Sequence, residues 1–197
     1  MSWMSDKPTT QIELADALKK NSLIYTPEVY QVFKSIDRKY FWAPNNINPY
    51  SVDPDNLTNG QKLTSPVMQG IALEIVWASM ENLFITKTKD PIMIADIGFG
   101  YGCTTAMLSL LSQLLKERFK SNREVYITGY EIYSDFLDIA KDSISKIPEV
   151  EAENINLVHK DIQAEKVNEK YDIVCIHHSY IFLIKEYLLF WIEMKLK

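Results

Sequence analysis

Residues 92–105 of this 197-residue chain, IMIADIGFGYGCTT, constrain its fold more than any other stretch. An apolar run carries one acid, Asp96, and leads into glycines at alternate positions, Gly98, Gly100 and Gly102. Beyond them Ala106, Met107, Leu108, Leu110, Leu111, Leu114 and Leu115 recur at helical spacing. The pattern predicts a buried strand, a tight glycine turn and an amphipathic helix. Glycine lets backbone approach a ligand with no Cβ in the way, and the start of the helix offers free N–H groups. A dinucleotide turn needs G-x-G-x-x-G. Its third glycine would fall on Cys103, which excludes that class.

The rest of the chain supplies partners for this unit. Residues 11–20 place Ile12, Leu14, Ala15 and Leu18 on one side of a short helix. Thr26-Pro27-Glu28 reads as a helix start with Thr as N-cap, followed by a Val29, Val32, Phe33, Ile36 stripe. Residues 45–61, rich in Asn, Pro, Asp and Ser, predict a long loop, a length that is uncommon unless it serves function. Thr64-Ser65-Pro66 caps another helix, with apolar residues from Ile71 to Phe84. Strands follow at 125–131, 155–159 and 171–176, with a helix opening at Ser134 or Asp135. Alternating strands and helices predict an α/β fold, a parallel sheet with helices on both faces.

In such sheets ligands sit at the carboxyl ends of the strands. There the sequence places Gly98, Glu131 and Asp161. A carboxylate at the second strand end suits ribose hydroxyls, which are neutral donors, and Asp161 is placed to accept from an adenine amino group. Asp96, Gly98, Gly100 and Gly102 match the Asp-x-Gly-x-Gly-x-Gly pattern of S-adenosylmethionine (SAM) methyltransferases. SAM is therefore the expected cofactor.

Composition removes several classes. Net charge is −5, with no basic block, which argues against a nucleic-acid binder. Two cysteines, Cys103 and Cys175, make neither a disulfide framework nor a zinc site, and no metal cluster is visible. The start MSWMSDKPTT lacks an apolar signal core. The apolar segment 180–191 is broken by Lys185 and Glu186 and is too short to span a bilayer. The expectation is a cytoplasmic protein with no membrane partner.

Outside the glycine turn, three further stretches carry a resemblance: YQVFKSIDRKYFWAP at 30–44, Asn48-Pro49-Tyr50, and GQKLTSPVM at 60–68. Together with the opening MSW, they resemble the protein-L-isoaspartate O-methyltransferases. That family carries a V-D-R-x-x-F-x-P-like stretch, an N-P-Y or A-Y loop and a T-I-S-x-P segment before its SAM fold. The resemblance implies one methyltransferase domain over 1–197: a helical and substrate-loop segment (1–64), a SAM-binding core (65–179) and an atypical tail (180–197). By position the family's active-site Ser falls on Thr64, which keeps a hydroxyl, and the flanking cofactor-bordering residues fall on Gln61, Lys62 and Leu63. A His of animal members becomes Gln69. The ribose acid is Glu131, with Ile132 beside it, and the adenine segment becomes Lys160-Asp161-Ile162. The small residues between the family's glycines become Phe99 and Tyr101, whose bulk predicts crowding of the methionine moiety.

The reaction implied is methyl transfer from SAM to the α-carboxylate of L-isoaspartyl residues in damaged proteins and peptides. A carboxylate is already ionised at neutral pH, so no general base is needed. His177 and His178 are read as structural, and Asn59-Gly60 as a turn. Where the family continues with further strands, this chain reads HHSYIFLIKEYLLFWIEMKLK. The expectation is an incomplete sheet with residues 173–176 as an uncovered apolar edge, prone to self-association, and a monomer only if the fold is complete. Two alternatives stay open: a non-catalytic SAM- or partner-binding remnant, and a SAM methyltransferase with another substrate.

Overall fold

The structure is a computed structural model; it describes residues 7–43, 48–53, 55–86, 91–162, 164, 169–176 and 181–184. The opening MSW, Pro44 and residues 45–47, Pro54, His177, His178 and the tail after Ile184 lie outside the described residues.

Helices α1 (Gln11–Lys20) and α2 (Pro27–Ser35) come first, then a single 3-10 turn at Arg38–Phe41. Thr10 caps α1 by accepting from the Glu13 amide at 3.1 Å. Thr26 stands at the N-cap of α2 as expected, with Pro27 opening the helix, but its side chain is used differently. Its hydroxyl makes no cap to its own helix; it donates instead to Glu74 Oε2 at 2.6 Å. Glu74 Oε1 accepts the amides of Tyr25 and Thr26 at 2.7 and 2.9 Å. A buried carboxylate is a strong acceptor, so a side chain of another helix holds the two residues that lead into α2.

The segment expected as a long loop is partly ordered by its own short ladder. Strand β1 (Asp55–Asn56) pairs antiparallel with β2 (Lys62–Leu63) around a 3-10 turn at Thr58–Gly60. The Leu57 amide donates to the Gln61 carbonyl at 2.7 Å, and Gly60 takes φ +73°. Upstream, Asn48 makes an Asx turn, its side-chain oxygen accepting from the Tyr50 amide at 2.9 Å. Helix α3 (Pro66–Thr86) then packs Leu73, Val76, Trp77 and Met80 inward.

The central sheet contains β3 (Ile92–Ile97), β4 (Val125–Glu131), β5 (Ile155–His159), β6 (Ile173–Ile176) and β7 (Ile181–Ile184) in the order β5-β4-β3-β6-β7. The first four are parallel, as expected for the Rossmann-like class. Helices α4 (Cys103–Phe119) and α5 (Ser134–Ser145) connect them. Side chains alternate across the sheet. Ile92, Ile94, Val125, Ile127 and Ile173 join the large core that takes residues from all five α-helices among the described residues. Ala95, Tyr130, Tyr171, Val174 and Ile176 form a second cluster on the other face, to which no helix among the described residues contributes. The expected edge is corrected: β6 is flanked on its second side by β7, antiparallel, with Ile173 opposite Ile184 and Ile176 opposite Ile181. An isoleucine-rich run four residues downstream can fold back as a hairpin and satisfy the open ladder.

Two buried thiols give the fold a pH signature. Burial raises the Cys175 thiol well above its usual range, helped by the Asp96 charge, and raises Cys103, partly opposed by Arg38. The unfolded chain loses these protons first, near pH 8.5. Stability is thus fully present below that pH and falls as pH rises towards the folded values, by up to about 1.4 kcal/mol per pH unit for each thiol. Urea unfolding between pH 8 and 10 should show this slope, and the Cys103→Ala/Cys175→Ala variant should flatten it. An equal slope in both proteins would assign the pH dependence elsewhere.

Candidate active site

The three glycines after β3 turn the chain through left-handed backbone, with φ of +77° at Gly98, +58° at Gly100 and +88° at Gly102. An L side chain resists that region, which is why the sequence alternates glycine there. Each amide has a fixed acceptor. Gly98 donates to the Tyr130 carbonyl at 2.8 Å and Gly102 to the Phe99 carbonyl at 2.9 Å. Gly100 donates to Glu131 Oε2 at 3.0 Å. A Cβ at Gly98 would meet nothing within 4 Å. The turn is therefore open on that side, and α4 begins five residues later, at Cys103. This is a cradle suited to a ligand approaching backbone.

Glu131, at the end of β4, is buried and faces the turn. Its Oε1 accepts the amides of Ile132 and Tyr133 at 2.8 and 3.2 Å, so one carboxylate joins the glycine turn to the next loop. Ile132 presents an exposed apolar side chain, 55% accessible, the right character for stacking under a planar base. The His159 ring Nε2 lies 3.0 Å from the Ile132 carbonyl, and the Lys160 amide donates to the Glu131 carbonyl at 2.8 Å. Asp161 follows, half-buried, its Oδ1 accepting the Ala164 amide at 3.3 Å. Gly98, Glu131, Ile132, Lys160 and Asp161 thus come together at one edge of the sheet. Asp96 does not face that opening. It is wholly buried and accepts the Thr105 hydroxyl at 2.5 Å, fastening the strand end to the first turn of α4.

Phe99 and Tyr101 do not project into the opening beside Gly98. Both rings are buried in the main core. Phe99 lies over Gly129, whose added Cβ would stand 2.8 Å from Phe99 Cδ1. Tyr101 meets Phe136 edge-on, with centroids 5.1 Å apart. Its hydroxyl pairs with Thr58, 3.0 Å from Oγ1 and 3.3 Å from the amide. Gln61 Nε2 donates to the Tyr133 hydroxyl at 3.0 Å. Two tyrosines therefore fasten residues 58–61 to both sides of the cradle, one from the glycine turn and one from beyond Glu131. Lys62 is exposed, whereas the Leu63 side chain is buried in the core, leaving its backbone to border a ligand. Thr64 is half-buried, next to this strap.

The residue that sequence reasoning missed is Arg38. Its side chain is wholly buried. Nε donates to the Pro49 carbonyl and Nη2 to the Thr64 carbonyl, both at 3.2 Å, and Nη1 donates to Gln69 Oε1. The available signal was the V-D-R-x-x-F-x-P-like stretch, in which Arg38 is one of three consecutive charged residues between Ile36 and Phe41.

Known proteins place this geometry. A family model described as protein-L-isoaspartate(D-aspartate) O-methyltransferase matches residues 9–176. A Caenorhabditis elegans protein-L-isoaspartate O-methyltransferase is 24% identical over 158 residues, 80% of this chain, and the chain spans 61% of that relative's length. In fold, the chain is similar to a Plasmodium falciparum protein assigned as a protein-L-isoaspartate O-methyltransferase and solved with S-adenosyl-L-homocysteine. That match has a TM-score of 0.67 at 20% identity, covering 85% of this chain and 72% of that one. Another protein-L-isoaspartate O-methyltransferase structure aligns with a TM-score of 0.56 at 16% identity, over 84% of this chain and 47% of that one. With the family model spanning the Arg38 segment, the Thr64 segment, the glycine turn and strands β3 to β6, the chain belongs to the protein-L-isoaspartate(D-aspartate) O-methyltransferase family.

Proposed function

We propose that this protein binds SAM over the glycine turn and transfers its methyl group to the α-carboxylate of L-isoaspartyl residues in damaged proteins and peptides. The observation that carries the reading is the family match, which runs unbroken through both the Thr64 segment and the cradle. Gly98 would offer the open backbone, Glu131 would accept from ribose, Ile132 would supply the apolar contact to adenine, and Lys160 and Asp161 would border it. Gln61, Lys62, Leu63, Gly100 and Gly102 complete the wall, while Asp96 holds the turn in shape. Bound SAM supplies a methyl group activated by its sulfonium. The chain's own residues then have to align the carboxylate with that methyl and keep water away. Thr64 donates its hydroxyl to the substrate carboxylate and fixes its angle of attack. The strap at 58–61 closes over the cofactor side. No helix among the described residues is long and apolar enough to cross a membrane. We place the protein in the cytoplasm, acting on proteins and peptides and monomeric if the fold is complete, its −5 net charge being unsuited to a nucleic-acid backbone.

The test is transfer of labelled methyl to an isoaspartyl peptide, with the matching aspartyl peptide as control. Methylation confined to the isoaspartyl form is expected. Thr64→Ala should lower turnover by about 10²–10³, by analogy with removing one oxyanion-hole donor, and leave SAM affinity within about twofold. Methylation of neither peptide by the unaltered protein would sink the reading.

A further inference from the structure

The buried guanidinium of Arg38 gathers three neutral oxygens from three separate segments: the Asn48–Tyr50 turn, the end of β2, and α3. Its own amide donates to Gln11 Oε1 at 3.1 Å, which seats the residue against α1. Gln69, also buried, is oriented by Arg38 and Thr104, with the Cys103 thiol beside it. Its oxygen accepts from Arg38, and its Nε2 donates to Thr104 Oγ1 at 3.0 Å. Thr104 is the second residue of α4, two beyond Gly102. A continuous chain of hydrogen bonds therefore runs from the Thr64 carbonyl through Arg38 and Gln69 to the helix that the glycine turn initiates.

Thr64 needs such a tether. It follows a strand of only two residues, paired to another of two, which is too short to fix a side chain to a fraction of an ångström. A site that works by alignment loses rate when a supporting contact lets the reacting group shift. We propose that Arg38, Gln69 and Thr104 form a positioning relay that locks the Thr64 segment to the glycine-turn helix and thereby sets the reach of the Thr64 hydroxyl. The role in turnover rests on the isoaspartyl methyltransferase reading; the tether itself does not. None of the three is a catalytic residue here, because each acts through Thr64.

Thr104→Val tests the relay with little change in shape, since it removes the acceptor hydroxyl and keeps the branched side chain. Gln69→Leu removes both hydrogen bonds at once and leaves an Arg38 donor without its acceptor. Two readouts are taken on the full chain. The first is hydrogen exchange of the amides at 62–65, expected to quicken about tenfold in Thr104→Val and more in Gln69→Leu. The second is steady-state methylation of the isoaspartyl peptide. Here kcat should fall about tenfold and about a hundredfold respectively, with calorimetric S-adenosylhomocysteine affinity within twofold. Thr104→Ser, which restores the hydroxyl, should recover both readouts; a general packing defect would not be rescued this way. Unchanged exchange in Thr104→Val, or quickened exchange with unchanged kcat, overturns the relay. If the unaltered protein methylates nothing, the methyltransferase reading fails separately, and the exchange data alone decide whether the tether exists.

Discussion

Gly100→Val should abolish cofactor binding, taking calorimetric affinity for S-adenosylhomocysteine down by more than about 100-fold. Three penalties coincide at this position. The backbone sits at φ +58°, where an L-residue costs about 1–2 kcal/mol and a β-branched one more. A Cβ would stand 3.1 Å from Leu57 Cδ1, pressing on the strap. Relaxing the strain by turning φ negative would swing the amide away from Glu131, which it meets at 3.0 Å. The valine variant must therefore either distort the strap or release the acid. Gly98→Ala is the informative partner. Its Cβ meets no protein atom, so its stability cost should be strain alone, about 1–2 kcal/mol, while the methyl enters the open side where the ligand approaches. Unchanged affinity in both variants would remove the glycine turn from the site.

Gly129→Val should destabilise the fold by about 3 kcal/mol, the upper end of the usual cost of overpacking a core. Gly129 lies in the middle of β4, and a Cβ there would come within 2.8 Å of both Phe99 Cδ1 and Leu157 Cδ2. Real Cβ atoms do not approach that closely. The Phe99 ring would have to leave its seat, and its backbone lies between Gly98 and Gly100. The damage should therefore pass from the sheet into the turn. Adding Phe99→Ala to Gly129→Val empties the seat that valine needs, so the double variant should be less destabilised than the sum of the singles. Urea titrations of the four proteins decide this. Additive losses would mean that ring and glycine do not share one space.

The reach of the sequence follows from how each feature is encoded. Strands β3, β4 and β5 and helix α1 are legible because an apolar period repeats across their whole length. The hairpin at 55–63 is not, since two-residue strands carry no period and its register is set by one turn. Helix α2 starts where the sequence places it, yet the amides leading into it are held by Glu74, about fifty positions away, and no local pattern can name such a partner. Phe99 and Tyr101 look like obstacles in the motif because a one-dimensional pattern gives residue size without direction. In three dimensions Gly129 clears a seat for the first ring, and Phe136 with Thr58 receives the second. Arg38 is invisible for a different reason. Charged residues are read as surface by default, and its acceptors among the described residues include two carbonyls and an amide, groups that every sequence contains.

Glu131 carries one last implication, for selectivity among sugars. An ionised carboxylate has about four lone-pair directions, and the amides of Gly100, Ile132 and Tyr133 fill three of them. A vicinal diol brings two protons to a group with a single direction left. As the loop stands, only one hydroxyl of the pair can be received, on Oε2, and its neighbour must look to another acceptor or to water. In the proposed SAM complex the carboxylate would then read one carbon of the ring, and two deoxy sugars that differ only in which hydroxyl is missing should bind unequally.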